Sequence, residues 1–88
     1  MSIVHLGGRV SKEGQLICGY NVKSISGLGN GKYYISFQQP VNVACVNIST
    51  AGQGYAWYSQ LTSVGVMINI NNGICPMDCE FTFHIITL

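Results

Sequence analysis

The sequence predicts an all-β domain folded as a compact antiparallel β-sandwich. Three observations predict it. Two distant segments alternate apolar and other residues with period two: Gly29-x-Gly31-x-Tyr33-x-Ile35-x-Phe37 and Asp78-x-x-Phe81-x-Phe83-x-Ile85. Period two places one set of side chains on one face of a strand, so each segment buries a single face. No segment of ten or more residues carries a convincing 3.6-residue period. Val, Ile, Thr and aromatic residues are frequent while Ala is scarce, which favours pleated strands.

The elements follow in order along the chain. Residues 3–10 form the first strand, loosened by Gly7 and Gly8, and residues 12–15 a turn. Residues 15–18 are a short second strand, and residues 21–26 a third. A loop with three glycines, residues 27–31, leads to a strand at 32–38. Gly29 and Gly31 start that strand from a tight turn that a side chain would obstruct. Pro40 interrupts, and a strand at 41–50 follows. After a loop at 51–54 come an aromatic strand at 55–61 and a strongly apolar one at 64–70. Asn71-Asn72-Gly73 signals a turn, because Asn and Gly tolerate positive φ. The Cys75-Pro76-Met77-Asp78-Cys79 loop leads into a last strand at 80–87. Seven or eight short strands at this spacing read as a sandwich or a closely related barrel.

The bulk properties bound the function. With 88 residues, the chain allows one domain, residues 1–88. A domain this small buries only about 60–65% of its unfolded surface. Charged residues make up 8% of the chain and hydrophobic residues 48%, whereas soluble domains carry about a quarter charged residues. Such a surface points to burial between subunits or to a location outside the cell. The net charge is +1 and its four cations, Arg9, Lys12, Lys23 and Lys32, are scattered, which disfavours a nucleic-acid partner. No apolar run approaches the ~20 residues that span a membrane, and residues 1–8 lack the features of a signal peptide.

Cys18, Cys45, Cys75 and Cys79 are an even set with three possible pairings, as suits an oxidising compartment. Free buried thiols acting as small hydrophobes are the competing reading. A zinc site is disfavoured, since only Cys75 and Cys79 are close in sequence. A Cys75–Cys79 bridge would close a very short loop and stabilise little.

The order of motifs resembles C-terminal tip domains of phage tail fibres and trimeric bacterial surface fibres. The resemblance runs from a glycine turn at Gly14 through Val22-Lys23-Ser24 to Gly29-x-Gly31-x-Tyr33-x-Ile35-x-Phe37. It continues through Pro40-Val41-Asn42, the apolar Val46 and Ile48, and Val66, Ile68 and Ile70. It closes with Gly73-x-x-x-x-Asp78-x-x-Phe81-x-Phe83 and covers about four-fifths of the chain. It implies a homotrimer at the tip of a fibre, located outside the cell or on a virion surface. It also implies an adhesive or receptor-binding role, frequently toward glycans, and a chain that is the C-terminal part of a longer fibre protein. Some members bond a cysteine at the Cys45 position to one at the C-terminus; here the terminus is Thr87-Leu88, so that bridge cannot form.

Tyr55, Trp57 and Tyr58 are the densest aromatic cluster. In a strand, Tyr55 and Trp57 share one face and Tyr58 takes the other. The cluster reads either as a platform that stacks on a sugar ring or as core and interface packing, where Tyr and Trp are enriched anyway. Gln53, Asn71 and Asn72 are neutral polar side chains able to hydrogen-bond sugar hydroxyls. Binding is thus expected around residues 52–57 and the Cys75–Cys79 loop, with three copies gaining by avidity. A purely structural trimerising cap and a protein-binding β module are the alternatives.

Enzymatic chemistry finds little support. Asp78 and Glu80 are two residues apart at a loop–strand junction, and Asp78 reads as a turn cap. A Cys–His dyad has no supporting spacing. His5 and His84 could hold a metal only by converging, and each reads as an ordinary strand histidine. No cofactor is expected. The Asn47-Ile48-Ser49 sequon lies in a predicted core strand and reads as incidental.

Overall fold

The computed structural model describes residues 5–52 and 54–88. Eight strands form: β1 (His5–Val10), β2 (Leu16–Tyr20), β3 (Val22–Gly29), β4 (Lys32–Phe37), β5 (Val43–Thr50), β6 (Tyr55–Ser59), β7 (Gly65–Asn71) and β8 (Phe81–Thr87). They make two four-stranded sheets, β2-β1-β8-β5 (sheet A) and β3-β4-β7-β6 (sheet B). Every pairing is antiparallel. Among the described residues there is no helix. The sheets pack face to face, so the expected sandwich is the observed architecture.

Alternation decides which side chains fill the sandwich. Leu6 and Val10 of β1 and Phe81, Phe83 and Ile85 of β8 face inward from sheet A. Tyr33, Ile35 and Phe37 of β4 and Val66, Ile68 and Ile70 of β7 face them from sheet B. The core therefore lies on the four central strands, and the edge strands contribute only half-buried side chains such as Val22, Ile25, Val46 and Ile48. The first and last strands are neighbours at the centre of sheet A.

The turn between β3 and β4 explains the glycine motif. Asn30 and Gly31 both have positive φ, 55° and 71°, between the paired residues Gly29 and Lys32. This is the two-residue hairpin turn that matches strand twist. A Cβ on Gly31 would overlap the Ile70 carbonyl oxygen and lie 2.7 Å from that of Met77. Asp78 completes the turn from the other motif: its carboxylate accepts the Gly31 N–H at 2.8 Å. The buried Tyr33 hydroxyl donates to Lys12 O at 2.6 Å and accepts the Cys79 N–H at 3.0 Å. It thereby ties the β1–β2 and β7–β8 loops to β4.

Several boundaries differ from the sequence reading. β3 runs through Gly29, where a loop was expected from residue 27, because a bulge between Gly27 and Gly29 keeps the strand paired up to the turn. β2 extends to Tyr20, and the chain crosses from sheet A to sheet B at Asn21 (φ 60°). The Asn21 side chain fixes that corner by donating to His5 O at 2.7 Å. β5 starts at Val43, β6 ends at Ser59, and β7 runs from Gly65 to Asn71. Residues 3 and 4 of the expected first strand lie outside the described residues.

All four cysteines are free thiols, so none of the possible disulfide pairings is formed. Cys18 and Cys45 sit on opposite edge strands of sheet A. Three strand spacings, roughly 14 Å, separate them, beyond the reach of a disulfide. Cys79 turns its thiol to the Glu80 carbonyl at 3.3 Å, leaving Cys75 exposed and unbridged. The competing picture of buried thiols fits only Cys79, which is half-buried against the core.

Candidate functional site

Register fixes the composition of the outer face of sheet B. Residues directly opposite in antiparallel strands share a face. Tyr55, Trp57 and Ser59 of β6 stand opposite Asn71, Asn69 and Met67 of β7. On the other side of β7, Asn69 faces Lys32 and Met67 faces Tyr34 of β4. These side chains point away from the core strands' inward set of Val66, Ile68 and Ile70. Among the described residues no further strand or helix covers them.

The aromatic residues divide as expected. Tyr55 (65% exposed) and Trp57 (47%) lie on this outer face. Tyr58 is opposite Ile68, so it points to the inner side at the edge of the sandwich and does not join the platform. Asn71 stands opposite Tyr55 and Asn72 follows it into the turn, and the main task of both is local. Asn71 Oδ1 accepts the Gly73 N–H at 3.0 Å. Asn72 Oδ1 accepts the N–H groups of Ile74 and Cys75 at 2.9 and 3.0 Å. Their carbonyl oxygens therefore build the turn, leaving the amide Nδ2 groups to reach a ligand. The turn lifts Ile74 almost wholly into solvent, at 93% exposure, with Gly73 against the Tyr55 ring. Gln53 lies outside the described residues.

Three contributors were not singled out from the sequence: Asn69, Lys32 and Tyr34. Asn69 is only 5% exposed although it belongs to the outer face. Its Oδ1 accepts from Lys32 Nζ at 3.0 Å and its Nδ2 donates to Ser59 Oγ at 3.0 Å. A row Trp57–Asn69–Lys32 thus crosses three strands with a buried amide at its centre. Tyr34 lies flat across Gly65, where a Cβ would overlap its hydroxyl. The available signal was the polar Asn69 and Asn71 alternating with Ile68 and Ile70, which marks a polar outer row.

The two loops expected to act together do pack together. Met77 reaches Gly54, whose Cβ would lie 2.9 Å from the Met77 methyl. Thr50 Oγ1 donates to Gly54 O at 2.9 Å, anchoring the second half of that loop.

The outer face of sheet A is different. His5 and His84 converge there, with rings stacked at 5.1 Å and Nδ1 of His5 2.9 Å from Nε2 of His84. One ring nitrogen of each thus has the other as its partner, a convergence the sequence reading weighed only as a metal site. No group of three or more His, Cys, Asp and Glu side chains that could hold a metal occurs among the described residues. Asp78 and Glu80 have separate partners, since Glu80 pairs with Arg9 at 3.0 Å and Asp78 holds Gly31. Asn47 of the sequon is exposed on edge strand β5, not in the core.

Burial raises the Tyr33 phenol above its ordinary value, and the hydrogen bond from Cys79 opposes that shift. No family model matches this chain, and no curated protein and no solved structure matches it either.

Proposed function

We propose that the chain is a non-enzymatic, receptor-binding tip domain that works as a homotrimer at a cell or virion surface and recognises a glycan. The observation that carries this reading is the exposed Tyr55–Trp57 pair on the outer face of sheet B. Sugar rings present apolar C–H faces that stack on such side chains, while their hydroxyls need neutral donors and acceptors. The face offers both, through its aromatic rings and the amide groups of Asn71 and Asn72.

Self-association is supported at another place. β2 is an edge strand whose five residues are all exposed and uncharged. Natural edges are usually guarded by charge, proline or a covering element. Ile17 and Tyr20 are half-exposed there, and Leu28 is on the neighbouring edge strand β3. A second copy of the same neutral surface is a fitting occupant. With ligand face and edge apart, three copies can assemble without hiding Trp57.

The test is a glycan-array screen of the wild-type protein and Trp57→Ala, with the mass of each measured in parallel. Glycan binding lost in a variant that keeps its trimeric mass supports the reading. Unchanged binding by Trp57→Ala would move the site elsewhere. Conversion of Trp57→Ala to monomers would favour a purely structural, trimerising cap with the tryptophan in its interface.

A further inference from the structure

The strands that carry the proposed ligand face have charge of one sign. The four strands of sheet B contain Lys23 and Lys32 and no aspartate or glutamate. Lys32 is exposed, and its ammonium is hydrogen-bonded to the neutral amide of Asn69, 3.0 Å away. That amide is buried and held in turn by Ser59. The ammonium is thus held by a neutral partner, in the same cross-strand row as Trp57 and two strands away from it. Asp78, an exposed acid at the rim of this face, accepts the N–H of Gly31, the residue before Lys32.

The second lysine sits farther along the same face. Lys23, Tyr34, Ser36 and Gln38 line a shallow groove of about 310 Å³. Ser36 is paired with Ser24, next to Lys23. From Lys32 to Ser36 along β4 is four residues, roughly 13 Å at strand rise. Tyr34 lies between the two cations. Two of the chain's four cations thus belong to this sheet and can attract an anion to it.

We infer that the ligand is an acidic oligosaccharide that stacks one ring on Trp57, crosses β7 to Lys32, continues along β4, and places carboxylate or sulfate groups at Lys32 and Lys23. This rests on the glycan-binding reading above and names its ligand class. Asn69 is the positioning residue: it holds Lys32 in the bound geometry before the ligand arrives, which lowers the ordering cost of binding.

The experiment uses matched immobilised oligosaccharides that differ only in their acid groups: a β1,4-linked mannuronate hexamer against β1,4-mannohexaose, and a sulfated galactan fragment against the unsulfated one. The wild-type protein is expected to bind the acidic member of at least one pair at least tenfold more tightly. Lys32→Gln and Lys23→Gln should each lose about tenfold, and Lys32→Arg should retain most of the binding. Trp57→Ala should abolish it, which separates a built site from loose charge attraction. Preference for the neutral members, or binding unaffected by Lys32→Gln, overturns the acidic-ligand inference while leaving glycan binding in place. Acid binding that survives Trp57→Ala also overturns it. Failure to bind either member of both pairs overturns the inference; the array screen above then decides separately whether any glycan is bound.

Discussion

The carboxylate of Asp78 accepts the backbone N–H of Gly31 across 2.8 Å, joining residues that are 47 positions apart. The bond links the β7–β8 loop to the β3–β4 turn, and so couples the two alternating motifs. Gly31 stands in a left-handed conformation with the Ile70 carbonyl where a Cβ would be. Gly31→Ala should therefore destabilise the fold by about 3 kcal/mol or more. Asp78→Ala should cost about 1.5–3 kcal/mol, as for a hydrogen bond to a charged group. Asp78→Asn keeps an acceptor and should cost less than Asp78→Ala. Urea unfolding midpoints of the three variants check this order.

Tyr33 should give the fold an alkaline limit. Its phenol is buried and its pKa is raised from the ordinary value of 10.0. The unfolded chain gives up this proton first as pH rises. Stability from this group is thus complete below about pH 10 and falls as pH climbs toward the higher folded-state value. Tyr33→Phe should be less stable by about 1–3 kcal/mol at neutral pH, because Lys12 O and the Cys79 N–H lose their partner. The same variant should show a shallower loss of stability above pH 10. Denaturation midpoints measured from pH 8 to 11 on both proteins provide the comparison; equal slopes would show that Tyr33 does not set the alkaline limit.

Trp57 and Tyr58 are sequence neighbours on opposite faces. Trp57→Ala removes an exposed ring from an uncovered face, so its melting temperature should stay close to wild type. Glycan binding should disappear. Tyr58→Ala should leave glycan binding unchanged, since that ring leaves the sheet on the other side. Binding isotherms of the two variants on one immobilised glycan separate the faces.

How much of this was legible in the sequence can be argued from particular residues. Alternation along Tyr33-x-Ile35-x-Phe37 and Phe81-x-Phe83-x-Ile85 identifies the buried faces, because it records a local property of each strand. The order of the strands in the sheets was not legible. Pairing β1 with β8 joins residues near the two ends of the chain, and periodicity carries no information about such neighbours. The Trp57–Asn69–Lys32 row was missed for the same reason: its three residues lie on three strands. His5 and His84 likewise meet only because their strands pair. The extension of β3 escaped notice because glycines that open a loop and glycines that form a bulge look alike in sequence.

The edge of β2 should be where assembly is most easily broken. Ile17→Lys places a charge on the exposed, uncharged strand, where it disturbs nothing in the core. It should leave the monomer folded and reduce the assembled mass, as guarding charges do on natural edges. Circular dichroism paired with sedimentation checks both halves of the expectation.

The most direct test of the central claim is the solution mass of the wild-type protein by light scattering coupled to size exclusion, with and without reductant. A homotrimeric tip domain held by non-covalent edge contacts predicts about three times the 9.5 kDa of one chain under both conditions. A 9.5 kDa species at every accessible concentration would contradict it.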